Sequence, residues 1–232
     1  MTAAVIGTTA IAQKTVNDAN AQTRTISGSF TGVEVGSAIE LILTEGSEEK
    51  VVVSSNSEKA RDHIKTEVVN GVLKIWYDNN WGVKINWTKD DYMKAYVSYK
   101  KLNSIKASGA SSVKFENKWT TDNAKIKLSG ASTMKVELAA TSLDADLSGA
   151  SEITVSGSVT TLNMEGSGAS SFHGFDLNSD NSDVDVSGAS VANVQTQKEI
   201  KVEASGASSV RYKGSAVIKE IKSSGASSIQ KA

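Results

Sequence analysis

From Leu102 onward apolar and polar residues alternate one for one, in runs such as KIKLSGASTMKVEL and VDVSGAS, and many of the apolar ones are β-branched. A period of two predicts strands, because successive side chains of an extended chain point to opposite faces. No helical period competes with it. The tetrapeptide SGAS punctuates these runs seven times, with its glycines at Gly109, Gly130, Gly149, Gly168, Gly188, Gly206 and Gly225, separated by 21, 19, 19, 20, 18 and 19 residues. Recurrence at that interval predicts an all-β solenoid, β-helix-like, of about 19 residues per unit, in which each unit leaves apolar surface that only the next can cover.

Alignment on the glycine predicts which residues face inward. Four residues before it stand Ile105, Ile126, Ala145, Met164, Val184, Val202 and Ile221, and four after it Val113, Met134, Ile153, Phe172, Ala192, Val210 and Ile229. The opposite parity is polar. Five and three residues before the glycine, Lys125/Lys127, Asp144/Asp146, Asn163/Glu165, Asp183/Asp185 and Lys201/Glu203 should form two outward ladders, with rungs about 4.8 Å apart. In the corner itself, glycine permits a bend at positive φ, alanine is expected to turn inward where the coil is tight, and the serines can bond locally or to their counterparts in neighbouring coils. A nucleophilic serine would be needed once, and no histidine or carboxylate partner recurs with it.

The first hundred residues alternate less regularly. Residues 27–101 therefore read as an N-terminal β region or cap, residues 102–232 as the SGAS-repeat solenoid, and residues 1–26 as a tail or the remnant of a signal peptide, since Ala10-Ile11-Ala12 has the form of a processing site. Gly36-Ser37-Ala38 reads as a degenerate first corner, and Asn70-Gly71 as a tight hairpin. A cap at one end leaves the last coil as the edge at which self-association through terminal coils is expected.

VEVGSAIELILTEG, EKVVVSSN, VNGVLKIWYDN and a Leu-Asn-Ser-Ile run, entering SGASSV and SGASTM corners, resemble in that order the head GIN domain family of bacterial proteins, also described as autotransporter adhesins. The resemblance spans about residues 27 to 232. It implies a right-handed β-solenoid in an exported protein, periplasmic, outer-membrane-associated or extracellular, and it brings no catalytic residues. The lipoprotein cysteine of many such relatives has no counterpart in this sequence.

Charge changes the picture less than its distribution does. The 25 basic and 26 acidic residues nearly cancel, which argues against a nucleic-acid partner. Without cysteine there is no disulfide or thiolate ligand. From Val136 through Gln197, however, nine acidic residues occur without a lysine or arginine. Asp144, Asp146, Glu165, Asp183 and Asp185 fall in equivalent outward columns of consecutive coils, where oxygen ligands could hold Ca²⁺ weakly, although the spacing fits no EF-hand or glycine-and-aspartate calcium repeat. The plainer reading is a solvated face. No other cofactor is indicated. The large rings gather instead near the amino-terminal region, where Trp76, Trp81 and Trp87 are candidates for stacking on a sugar or meeting a protein, and where the competing role is to fill a wider cap.

These features favour a non-enzymatic adhesin or macromolecule-binding module for carbohydrate or protein at a cell surface, with the ligand held by the three tryptophans and the five carboxylates. A polysaccharide-processing enzyme working through the acidic face and a self-assembling structural module are the alternatives.

Overall fold

The structure, a computed structural model, describes residue 18, residues 20–78 and residues 91–232. In chain order, β1 (Gln22–Arg24), β2 (Gly32–Val35), β3 (Glu40–Glu45) and β4 (Lys50–Ser55) precede a short helix, α1 (Glu58–His63), and then β5 (Ile64–Val69), β6 (Val72–Tyr77) and β7 (Met93–Tyr99). The repeats supply β8 (Ser104–Ala107), β9 (Ser112–Phe115), β10 (Trp119–Leu128), β11 (Thr133–Leu147), β12 (Glu152–Gly166), β13 (Ser171–Val186), β14 (Val191–Ala204), β15 (Ser209–Lys213), β16 (Val217–Ser223) and β17 (Ser228–Lys231).

The fold is a β-solenoid whose coils stack through parallel strand pairs. On one face, the carboxyl-terminal halves of β10 to β14 lie between β8 and β16, in the register Lys125, Asp144, Asn163, Asp183, Lys201 and Glu220. The other face carries the amino-terminal halves of β11 to β14 between β9 and β15. The inward columns expected from the alignment are buried from Ile105 to Val202 and from Val113 to Val210. They make one continuous core.

Every SGAS glycine has φ between +70° and +74°. Sterics add a second reason for glycine: a Cβ on Gly130 would lie 2.4 Å from the carbonyl oxygen of Gly109, and one on Gly149 would lie 2.6 Å from that of Gly130. The corners stack this closely because the N–H of the next alanine donates to the glycine carbonyl one coil back, as Ala150 does to Gly130 at 2.7 Å. One expectation is corrected here. The alanines of the corners are exposed, and the second serine turns inward, with Ser111, Ser132, Ser151, Ser170, Ser190 and Ser208 all buried. Burying a hydroxyl needs a partner; Ser111 and Ser132 donate to the carbonyls of Ser108 and Ser129 at 2.9 and 2.8 Å, the first serine of the same corner.

Coils begin well before the first SGAS. β2 and β3 form one coil, with Ser37 at φ 63° in the place of the corner glycine. That coil sits in the middle of a stack: β2 pairs with β6 on one side and β8 on the other, and β3 likewise with β7 and β9. The chain thus lays down a coil, leaves it to build β4, α1 and β5, and returns to cover both its sides. Antiparallel pairing closes the outer edge, β5 on β6 through the Asn70-Gly71 hairpin, and β4 on β7 with β1 outside it. Tyr99 and Trp119 are buried there, on either side of Phe115, and the Trp119 indole N–H donates to the Leu102 carbonyl at 2.9 Å. At the other end Val217, Ile218 and Ile221 of β16 are exposed. Among the described residues, no helix is long and apolar enough to cross a membrane.

Candidate binding trough

The polar parity of the first face forms a shallow trough of about 810 Å³, running from Val72 and Glu34 at the capped end to Asp185 and Glu203. Parallel register builds it: strands one coil apart bring residues about 19 positions apart side by side, so each outward column becomes a ladder. The column three residues before the glycine reads Glu34, Lys106, Lys127, Asp146, Glu165, Asp185, Glu203 and Lys222. Four carboxylates follow one another without interruption. Lysines close both ends of the run, Lys127 on Asp146 at 2.5 Å and Lys222 on Glu203 at 2.8 Å.

The neighbouring column is more mixed. Asn163 donates to Asp144 at 2.8 Å and so stands between it and Asp183, while Lys201 lies 3.9 Å from Asp183. Hydrogen bonding to Asp146 holds the Lys127 ammonium above its ordinary pKa, and hydrogen bonds to Glu203 and Glu220 do the same, more strongly, for Lys222. The central acids of the other column differ: among the described residues, Glu165 and Asp185 have no ion-pair partner. The trough is therefore cationic toward the cap and anionic in its middle.

All five carboxylates expected from the sequence line this one trough. They do not converge on a point, and the described residues contain no group of three acidic or histidine side chains spaced to hold a metal ion. Trp76 is half-buried, opposite Lys65 of β5, on the strand whose Val72 lines the trough; the indole itself is not among the lining residues. Trp81 and Trp87 lie outside the described residues. Of the other described rings of the amino-terminal region, Tyr99 and Trp119 are buried, and Tyr77, Tyr92 and Tyr96 are half-buried. Sequence reasoning passed over one aromatic, Phe175, which stands on the opposite face under Arg211 and Lys213; the signal for it was the change of repeat spacing from 20 to 18 residues on either side of Gly188.

Comparison with solved structures shows the same fold. A protein described as a putative adhesin from Bacteroides fragilis is 19% identical and superposes with a TM-score of 0.82, over 91% of this chain and 96% of its own. A second, described as a putative adhesin from Parabacteroides distasonis, is 17% identical with a TM-score of 0.72, over 91% and 96%. A third, from the same species, is described as a putative lipid binding protein, and is 18% identical with a TM-score of 0.69, over 92% and 97%. One architecture thus carries two functional descriptions, so the fold does not name the ligand. No curated protein matches the sequence. The family model for "Putative auto-transporter adhesin, head GIN domain" matches residues 29–216, four-fifths of the chain and nearly all of its coils, and the chain belongs to that family.

Proposed function

We propose that the protein is a non-enzymatic, adhesin-like binding module, exported and working at or beyond the cell surface, that holds an extended macromolecule along the trough. The family description and those of two of the structural relatives support the adhesin-like role and the exported address. The observation that carries the reading is the unbroken column Asp146, Glu165, Asp185 and Glu203, which offers one carboxylate per coil to a ligand with cationic groups at similar intervals. A column of carboxylates favours a protein segment rich in lysine and arginine, and among the described residues the lining holds no aromatic ring. Ionic complementarity of this kind gives register and encounter rate, and it weakens with salt.

Glycoside hydrolysis makes different demands: two carboxylates flanking the scissile bond, one kept protonated by its surroundings. Here the carboxylates stand in parallel columns of a single sheet face. Self-association has the exposed Val217, Ile218 and Ile221 in its favour. Against it, the register of β16 shifts between Ile200 and Lys201, and the edge carries Lys219 and Lys222, both devices that discourage edge pairing.

The test is an array of extended basic peptides and polysaccharides read for both retention and cleavage. Retention of the basic peptides should fall by about tenfold or more in the Glu165→Gln/Asp185→Asn double variant and decline steeply with added salt. Equal retention by the double variant would sink the trough as the site. Cleavage of a polysaccharide, abolished by Asp144→Asn, would replace binding with the enzymatic reading.

A further inference from the structure

The largest break in the solenoid's register lies in β13, and its cause lies in the core. Phe172 occupies a column otherwise filled by Val113, Met134, Ile153, Ala192, Val210 and Ile229, and it is fully buried. Its ring takes the room that the next inward side chain would need: a Cβ on Gly174 would lie 2.3 Å from Phe172 Cε1. Glycine there frees the strand to bulge. Val155 of β12 lies between rungs opposed by His173 and Asp176, so both Gly174 and Phe175 face its single position. Toward β14 the slip is larger, with Gly174 opposite Val194 but Asn178 opposite Gln195, leaving Phe175, Asp176 and Leu177 without a rung. Leu177 returns to the core. Phe175 is left half-buried, facing the outer surface.

That slip explains an unusual contact. Arg211 and Lys213 belong to β15, two coils beyond β13, yet they reach the Phe175 ring at 5.9 and 5.1 Å from its centroid. Among the described residues neither has a carboxylate partner, whereas Lys198, Lys201, Lys219 and Lys222 of the same and adjoining coils each do. Four residues beyond Phe175 the strand is pinned again. Ser179, Ser182 and Thr196, all buried, bond to one another at 2.7 to 3.3 Å, and Ser179 also reaches the Gln195 carbonyl at 2.7 Å.

We propose that Phe175, Arg211 and Lys213 form a binding site for a uronic-acid residue of an acidic polysaccharide, separate from the trough and on the opposite face. A pyranose lays its C–H face on the outer face of the half-buried phenyl ring, and its carboxylate lies against the Arg211 guanidinium, whose paired donors match two carboxylate oxygens, with Lys213 as a second cation. The cations leave the ring readily for this exchange, since a charge-assisted hydrogen bond is stronger than an exposed cation–π contact. A bare anion would use the cations and gain nothing from the ring. The two together select an acidic sugar.

Titration calorimetry with hexagalacturonate, its methyl ester and an inorganic polyphosphate of equal charge tests this. Hexagalacturonate should bind, the ester and the polyphosphate should bind about tenfold or more weakly, and Phe175→Leu and Arg211→Gln should each weaken the galacturonate by a similar factor. Arg211 is exposed, so its variant carries the test if Phe175→Leu proves to disturb the coil. The Glu165→Gln/Asp185→Asn variant should bind hexagalacturonate as the parent does, which keeps this site's failure distinct from the trough's. No binding by the parent, equal binding of polyphosphate that survives Phe175→Leu, or loss in the trough variant would each overturn the proposal.

Discussion

The stretch from Gly130 to Gly168 and the stretch from Gly168 to Gly206 differ in what fixes their coils. In the first group the spacing is 19 residues, the register between β11 and β12 is unbroken, and apolar residues such as Leu143 and Leu162 fill the column toward the far bend. In the second the spacing is 20 and then 18, the register slips twice, and Ser182 stands in that same column, bonded to Ser179 and Thr196. Regular coils are held by stacking that any neighbour can supply, and they generate ladders. Irregular coils need particular partners, and they place particular side chains. A repeat protein therefore makes its extended surface from what its units share and its individual sites from what they do not.

The largest effect should come from the shared corner. Gly149→Ala puts a Cβ in the left-handed region, which itself costs about 1–2 kcal/mol, and drives it to 2.6 Å from the Gly130 carbonyl oxygen, a backbone atom with no room to yield. The total should be about 3 kcal/mol or more, read from the urea midpoint. Gly109→Ala provides the contrast. It shares the positive φ but rests on the Ser37 corner, where the nearest atom would be 3.3 Å away, so the loss should stay near 1–2 kcal/mol. Equal losses at the two glycines would mean that backbone conformation alone, and not stacking, selects glycine in these corners.

Next comes the hydroxyl cluster of the irregular pair. Thr196→Val keeps shape but removes the bonds to Ser182 and Ser179, and should destabilise by about 1–2 kcal/mol. Ser151→Ala in a regular corner removes only a 3.5 Å contact to the Leu128 carbonyl and should cost about 0.5 kcal/mol or less. If the two variants melt alike, the irregular coils depend on their particular partners no more than the regular ones do.

The same contrast decides what the sequence disclosed. Strict spacing exposed the columns, because register in a solenoid is a property of the repeat; Asp146, Glu165 and Asp185 could be placed side by side without coordinates. The inward second serine was hidden, since the corner's handedness at glycine, rather than simple alternation, decides which residue turns in. Coil order at the amino terminus was hidden as well. Nothing local in VEVGSAIELIL says that residues 72–99 will return to lie beside it on the side away from β8 and β9. Phe175 was legible only as an arithmetic irregularity, because its exposure depends on the volume of a different side chain, Phe172, acting through Gly174.

The smallest effect should be found in the cap, which also departs from the repeat but pays for it differently. Tyr99 is 1% exposed, lies edge-on to Phe115, and its hydroxyl has no hydrogen-bond partner among the described residues. A buried, unsatisfied hydroxyl stabilises nothing, so Tyr99→Phe should be neutral at pH 7 or raise stability by up to about 1 kcal/mol. Alkaline pH separates the two chains further. Burial first, and the nearby Glu45 second, push the Tyr99 phenol well above its ordinary pKa, so the folded state holds the proton after the unfolded chain has begun to lose it near pH ~10. Any such group contributes stability that is full below the unfolded pKa and drains away as pH rises through it toward the folded value. The parent should therefore lose stability above pH ~10 more steeply than Tyr99→Phe, leaving a shallower slope contributed by groups such as Tyr96, raised by burial and by its bond to Asp18. Parallel urea midpoints for the two chains from pH 9 to 11 would show instead that the Tyr99 hydroxyl meets water, and that the cap is less tightly closed around its aromatic rings than the coils it covers.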